Sequence, residues 1–79
     1  MKQVELRYFG MIAEQMGMES ESREVSWATL ADLRKAIEEE KVMLQGLPFR
    51  IALNRKLVEE DRVIEDGDEL AFLPPFAGG

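Results

Sequence analysis

Residues 66–79 read Asp-Gly-Asp-Glu-Leu-Ala-Phe-Leu-Pro-Pro-Phe-Ala-Gly-Gly, and this stretch decides how the rest of the chain folds. Asp66-Gly67-Asp68 has turn chemistry, because glycine accepts a positive φ and aspartate side chains bond to the nearby backbone. The alternation of polar and apolar residues over 69–73 predicts a strand. Pro74-Pro75 cannot donate to a β ladder and keeps the preceding residue extended, so the strand is predicted to end there.

The last three residues, Ala77, Gly78 and Gly79, have no side chain larger than a methyl group. Such a segment packs against little and loses much conformational entropy when it is ordered. We therefore predict a folded domain over residues 1–75 and a flexible tail over residues 76–79. The tail can thread a slot that is too narrow for other residue types, and its tip carries a main-chain carboxylate. The domain is expected to present that carboxylate to a partner.

Length and charge restrict the classes of function. Seventy-nine residues form one domain with a modest core. The net charge of −6 argues against nucleic acid and anionic membranes as partners. No apolar run approaches the length that spans a membrane, and the absence of cysteine fits a reducing compartment. A cytoplasmic protein is therefore expected.

Several kinds of catalysis lack the side chains that they need. The sequence contains neither histidine nor cysteine, which removes Ser-His and Cys-His nucleophiles and the usual zinc ligand sets. It has no calcium-loop spacing and no glycine-rich phosphate loop. We therefore expect no metal site and no bound cofactor.

The hydrophobic pattern upstream of residue 66 predicts a series of short elements. They are, in order, a strand over 4–9, a helix over 11–16 that ends at Gly17, a polar linker over 18–22, a weak strand over 23–25, a helix from Thr29, and strands over 49–54 and 56–58 joined by a turn at Asn54-Arg55. Trp27 is interpreted as closing the edge of the core, with stacking on a ligand as the alternative.

The longer helix has the clearest pattern. Thr29 and Asp32 approximate a capping box, and the inward positions that follow share one apolar face. The predicted core comprises Leu6, Tyr8, Leu30, Leu33, Ile37, Ile51, Leu53, Leu70 and Phe72. Arg34 and Lys35 are predicted to point to water. The acidic run over 38–40 is interpreted as a solvated helix end, with a docking surface for a basic partner as the alternative.

The order of the elements indicates an architecture. Two hairpins flank one helix, which suggests an α+β fold with that helix packed across one face of a mixed sheet. The last strand can pair parallel to the first, because the helix allows a right-handed crossover. This is the β-grasp, or ubiquitin-like, arrangement.

Four stretches resemble a known family: residues 4–9, 29–33, 52–58 and, above all, 66–79. Together they resemble the small subunits of molybdopterin synthases, which are ubiquitin-like sulfur carriers. Members of that family often carry an Arg-Glu pair early in the first helix, where this chain has Ala13-Glu14. The sulfur carriers of thiamine synthesis are similar but usually shorter, and they tend to lack Pro-Pro before the tail, so they are the second choice.

The resemblance implies a chemical role for Gly79, whose terminal carboxylate would pass through an acyl-adenylate to a thiocarboxylate, with Gly78 allowing passage through a narrow channel. It implies ATP, used by a separate E1-like adenylating enzyme, and a synthase large subunit joined in a heterotetramer. The chain itself would supply no catalytic side chain. A ubiquitin-like modifier joined through Gly79 to lysines, and a plain binding module, remain as alternatives.

A docking surface for these partners is also predicted. Because the side chains before them face inward, Phe9 and Leu73 should face outward on neighbouring parallel strands, with Leu57 beside them and Phe76 just beyond. Exposed apolar residues that cluster in this way usually mark an interface. Singly scattered exposed hydrophobic residues are the alternative. We expect this surface to bind the large subunit and the activating enzyme in turn.

Overall fold

The computed structural model describes residues 1–46 and 48–74. The elements are, in order, β1 (Lys2–Tyr8), α1 (Gly10–Met16), β2 (Ser20–Val25), α2 (Leu30–Glu40), a 3-10 helix (Val42–Leu44), β3 (Arg50–Leu53), β4 (Lys56–Val58) and β5 (Glu69–Leu73). The predicted boundary between the domain and the tail lies outside the described residues. Within them, no helix is both long enough and apolar enough to cross a membrane.

The five strands form one sheet in the order β2-β1-β5-β3-β4. Strands β1 and β5 are parallel, with Leu6 opposite Leu70, and the other neighbours are antiparallel. The last strand therefore lies at the centre of the sheet, between the two hairpins. This is the predicted mixed sheet of the β-grasp fold.

The β3–β4 hairpin is closed by the predicted turn at Asn54 and Arg55. Both residues have a positive φ, 51° and 72°, which is the requirement of the type I′ turn that matches the strand twist. The Asn54 side chain also reaches the start of β5. Its Oδ1 accepts from the Glu69 backbone N–H at 2.9 Å, and its Nδ2 donates to Asp68 Oδ1 at 3.0 Å. One residue thus shapes the turn and ties it to the central strand.

Helix α2 packs its apolar face on the sheet, as the pattern predicted. At its start, Asp32 Oδ2 accepts from the Thr29 backbone N–H at 3.2 Å, as expected of a capping box. Eight of the nine predicted core residues are buried, and Leu53 packs on them while partly exposed. The core also takes in Val4, Ile12, Met16, Val25, Leu44, Phe49 and Ile64. Trp27 is half-buried against this cluster, which agrees with its predicted place at the edge of the core.

Strand β2 begins three residues earlier than predicted, at Ser20. Among the added residues 20–22, Glu21 lies opposite Leu6 in the ladder and points to the inner face of the sheet. This carboxylate is satisfied at the edge of the core, because the Tyr8 hydroxyl donates to its Oε2 at 2.7 Å and Arg23 contacts the same oxygen at 3.0 Å. Burial and this hydrogen bond raise the pKa of Tyr8. Residues 20–22 of the predicted linker are therefore part of a strand, and residues 18 and 19 lie before it, as predicted.

Arg23 also reaches α2, at the acidic end of that helix. Its two terminal nitrogens donate to the two carboxylate oxygens of Glu40 at 2.8 and 3.0 Å. These hydrogen bonds lower the pKa of Glu40 and raise that of Arg23. The neighbouring Glu39 is exposed, as predicted. The solvated-end interpretation thus holds for Glu39 and Glu40, which are both exposed, and the structure adds that Glu40 also joins α2 to β2 through Arg23.

Arg34 was predicted to point to water, and this is wrong. Its guanidinium carbon lies 4.5 Å from the centroid of the Phe49 ring, and Nη1 donates to the Phe49 carbonyl oxygen at 3.2 Å. The aliphatic part of an arginine can cover apolar surface while its planar head stacks on a ring. Lys35 is exposed, as predicted.

Candidate functional site: the outer sheet face and the origin of the tail

The central strand leads directly to the predicted tail. Strand β5 ends at Leu73, as the prolines predicted, and Pro74 is the last residue that the structure describes. Pro74 is buried beside Gly10, at the start of α1. The chain therefore leaves the domain from the middle of the sheet, close to the junction between β1 and α1. The proposed chemical residues Gly78 and Gly79 lie outside the described residues.

The sheet has a second face, which points away from α2. Because side chains alternate along a strand, Ala71 and Leu73, on either side of the buried Phe72, point to this face. The strand registers place one residue from each of four strands in a single row across this face. These residues are Arg7, Ala71, Ala52 and Leu57. We call this row, together with Phe9, Arg50 and Leu73, the outer sheet face.

The centre of the outer sheet face is apolar. Ala71 and Ala52 are adjacent in the ladder and only 8% and 7% exposed, because larger neighbours surround their methyl groups. Leu57 borders them on β4 and is 47% exposed. The centre of this face is thus apolar and largely covered, with an exposed leucine beside it. An exposed leucine at that place can be covered by an apolar surface of another protein.

Basic side chains and an aromatic ring complete the rim. Phe9 is 41% exposed, and the guanidinium carbon of Arg7 lies 6.0 Å from the centroid of its ring, so both are on the same face. Arg50 stands opposite half-buried Leu73 in the ladder and donates to Glu59 at 2.8 Å. The rim is therefore partly cationic, although the protein as a whole carries a net charge of −6.

Three of the four residues predicted for docking are brought onto this face. They are Phe9, Leu57 and Leu73, and the fourth, Phe76, lies outside the described residues. The sequence analysis missed Ala52 and Ala71. Strict alternation around the core residues of β3 and β5 was a signal that could have identified them.

The described residues offer no alternative centre of chemistry. No group of three or more acidic side chains among them is arranged to hold a metal ion. A cavity of about 230 Å³ lies beside α2 and is bordered by acidic residues. One of them, Asp61, is occupied in accepting hydrogen bonds from the backbone N–H groups of Ala31 and Arg62. That carboxylate stabilises the start of a helix.

Comparisons with known proteins find relatives that match nearly the whole chain. Over 80 aligned residues, the chain is 28% identical to the molybdopterin synthase sulfur carrier subunit of Escherichia coli (strain K12), covering 96% of this chain and 99% of that protein. A solved complex of subunits 1 and 2 of the molybdopterin-converting factor from Helicobacter pylori 26695 contains a chain that is 34% identical, with a TM-score of 0.66 and coverage of 98% of this chain and 99% of that one.

A third comparison bears on the fold alone. A Pyrococcus furiosus protein assigned as molybdopterin converting factor, subunit 1, superposes with a TM-score of 0.84 at 23% identity, over 95% of this chain and 99% of that one. This supports the β-grasp assignment. The sequence model of the ThiS family matches residues 6–79, a range that begins within β1 and includes the outer sheet face and both terminal glycines. The chain therefore belongs to the ThiS family.

Proposed function

We propose that this protein is a sulfur carrier of molybdenum cofactor synthesis, which donates sulfur from a thiocarboxylate on Gly79. One observation carries the proposal: the ThiS family match extends through residue 79, so that Gly78 and Gly79 lie within the matched range. The relatives favour the molybdenum pathway over the thiamine pathway, because the Escherichia coli protein is named as a molybdopterin synthase sulfur carrier subunit and matches over nearly its full length.

The activation step needs an enzyme and ATP, because a carboxylate is a poor electrophile. The Gly79 carboxylate attacks the α-phosphorus of ATP, which forms an acyl-adenylate and releases pyrophosphate. Hydrosulfide then attacks the carbonyl carbon and releases AMP, which leaves the thiocarboxylate. If a persulfide delivers the sulfur instead, the acyl disulfide that forms is cleaved by a thiol, and the thiol leaves as a disulfide.

The transfer step takes place on the partner. In the large subunit, the thiocarboxylate sulfur bonds to a carbon of the pterin precursor, cyclic pyranopterin monophosphate, while an oxygen substituent leaves that carbon. Water then hydrolyses the thioester, which restores the Gly79 carboxylate and leaves the sulfur on the pterin. This chain contributes positioning, and glycine at the tip leaves the carbonyl open to attack from either side.

We propose the outer sheet face as the surface that docks on the large subunit and, at another time, on the adenylating enzyme. The exposed Phe9 and Leu57 supply apolar area that gains free energy when it is removed from water. The rim that contains Arg7 can pair with partner carboxylates and steer the encounter. The face lies on the strand that ends at the tail, so docking there holds the tail against the partner.

The proposal is tested by mass and by activity. Intact protein is isolated from cells that contain the pathway, and its mass is measured: replacement of one oxygen by sulfur marks the thiocarboxylate. Purified protein is then assayed for conversion of the pterin precursor with large subunit, adenylating enzyme, ATP and a sulfur source. Deletion of Gly79 should abolish conversion, because even about 1 Å of misplacement can cost a hundredfold in rate.

Extension of the chain beyond Gly79 provides the sharpest control. Added residues remove the carboxylate from its working position while they leave the folded domain intact. Full conversion by an extended protein, shown by mass to have kept its extension, would refute the carrier proposal. A conjugate to lysine in the cellular sample would favour the modifier alternative, and unmodified acid that is never activated would favour a binding module.

A further inference from the structure

Pro74 is buried although it follows the last strand of the sheet. The reason is its neighbour, Gly10, whose backbone lies against the proline ring. A Cβ placed on Gly10 would come 3.0 Å from Pro74 Cγ and 3.9 Å from Pro74 Cδ. The first distance is tighter than nearly all real Cβ contacts, so the ring would have to move. The proline occupies its place because residue 10 has no side chain.

The backbone at Gly10, which contacts the Pro74 ring, is fixed by its own conformation and by its neighbours. Gly10 has a φ of +55°, which turns the chain from β1 into α1 and which residues with a side chain rarely adopt. The helix that follows is anchored by Ile12, which is fully buried, and Ile12 N donates to the Phe9 carbonyl oxygen at 3.1 Å. Tyr8 and Phe72 each stand two residues before one of the contacting residues, Gly10 and Pro74. Their ring centroids lie 5.3 Å apart in the core, which holds the two strand ends together.

We propose that Gly10 is a positioning residue for the tail: its contact with Pro74 fixes the point and the direction in which the chain leaves the domain. The proposal rests on the sulfur carrier function proposed above. Proline has a fixed φ, so a seated ring also fixes the direction of the Cα–C bond by which the chain continues. Five residues, 75–79, separate Pro74 from the tip, and they can span at most about 17 Å when fully extended.

A five-residue segment has little length with which to absorb a shift at its origin when its tip must reach a fixed point in a partner. If Pro74 moves away from Gly10, the displacement is carried toward the Gly79 carbonyl, where the nucleotide or the pterin must meet it. Docking of the outer sheet face is unaffected by such a shift. Loss of the Gly10 contact should therefore reduce the rate of transfer within the complex and leave the affinity of the complex unchanged.

The chain supplies a matched control for this test. Gly17 also has a positive φ, +76°, but a Cβ placed there would meet nothing within 4 Å. Gly10→Ala and Gly17→Ala therefore impose similar backbone strain at the two ends of α1, and only the first displaces Pro74. Each protein is made with a thiocarboxylate by cleaving a C-terminal thioester precursor with hydrosulfide, so that the adenylating enzyme is not needed.

The measurements are the Kd for the large subunit and the single-turnover rate of sulfur transfer at saturating large subunit, below the melting temperature of every variant. Gly10→Ala should lower the rate severalfold with the Kd unchanged, because the shift of a few tenths of an ångström that Pro74 must make is a fraction of the about 1 Å that costs a hundredfold. Gly17→Ala should keep the wild-type rate. Equal losses from the two substitutions would overturn the proposal, because strain at α1 would then explain both.

Pro74→Ala provides a second, independent test, because it removes the ring carbons that a methyl group at position 10 would meet. Alone, it should lower the rate, since the tail loses its seat, and adding Gly10→Ala should then have little further effect. A wild-type rate for Pro74→Ala, or the same loss from Gly10→Ala in both backgrounds, would refute the inference. If wild-type thiocarboxylate transfers no sulfur, the proposed function fails and the positioning role fails with it.

Discussion

Replacing Leu33 by alanine should remove a large part of the stability of this domain. Leu33 is fully buried in α2, where it faces the sheet. The three carbon groups that are lost are each worth about 0.8 kcal/mol in transfer free energy. The cavity left behind adds to this, for a total of about 2–5 kcal/mol. A 79-residue domain is expected to have about 4–12 kcal/mol in all, so the variant should be marginal.

The assay is urea unfolding followed by the fluorescence of Trp27, the single tryptophan of the chain, which is half-buried against the core. Leu57→Ala is the matched control, because it makes the same chemical change on the outer sheet face, where the side chain is 47% exposed. It should cost less than about 1 kcal/mol and should weaken binding to the large subunit.

The two leucines are thus predicted to separate folding from docking. Leu33→Ala should lower the free energy of unfolding, and the fraction that remains folded should still bind the large subunit with the wild-type Kd. A loss of less than about 1 kcal/mol for Leu33→Ala would mean that α2 does not pack on the sheet through this face. Equal losses for both variants would mean that the outer sheet face is also part of the core.

Three further predictions concern docking, chemistry and pH. Leu73→Glu should weaken the complex with the large subunit at least tenfold in calorimetric titrations, and unchanged affinity would place the docking surface elsewhere. Gly78→Val should abolish pterin conversion, because a β-branched residue restricts the backbone and adds bulk in a narrow channel, while we expect the free energy of unfolding to change by less than about 0.5 kcal/mol. Arg23 holds the pKa of Glu40 below its ordinary value of 4.5, so their pair stabilises the fold above that pH and the contribution is lost as the pH falls through the lowered pKa. The stability difference between wild type and Glu40→Gln, measured by urea unfolding at several pH values, should shrink as the solution is acidified, and Glu39→Gln, at an exposed neighbour, should show a smaller difference throughout.

Much of the fold could be predicted because its strongest signals are local. The alternation in β5 and the spacing of Leu30, Leu33 and Ile37 each identify one apolar face without knowledge of the rest of the chain. The ends of α1 and β5 are set by Gly17 and Pro74, whose backbone preferences act on their immediate neighbours. These predictions needed no information about tertiary contacts.

The errors fall where a residue depends on a distant partner. Glu21 points toward the core and looked like part of a polar linker, because its donor, the Tyr8 hydroxyl, lies 13 residues away. The ion pair of the exposed Glu40 was not predicted because Arg23 is 17 residues away. Arg34 was assigned to water because its stacking partner lies across a loop. Polar groups that are satisfied across the fold cannot be recognised from periodicity alone.

Some features of the candidate site could likewise be predicted from local patterns, and others could not. Phe9, Leu57 and Leu73 could be predicted as outward-facing apolar residues from alternation. The apolar centre between them could not, because it depends on the ladder register that brings Ala52 beside Ala71. The contact between Gly10 and Pro74 joins the first turn of the chain to its last described residue, and no local pattern indicates it. Register and close approach are properties of the assembled sheet.

The central position of β5 has a consequence for how the protein is made. The β1–β2 and β3–β4 hairpins are joined into one sheet only through β5. A ribosome completes both hairpins before it reaches Glu69, and isolated hairpins are at best marginally stable in water. A nascent chain or a truncated product that lacks β5 therefore has no sheet to form and stays open to proteases. Cells that prematurely terminate this message accumulate no folded competitor for the partners of the complete protein.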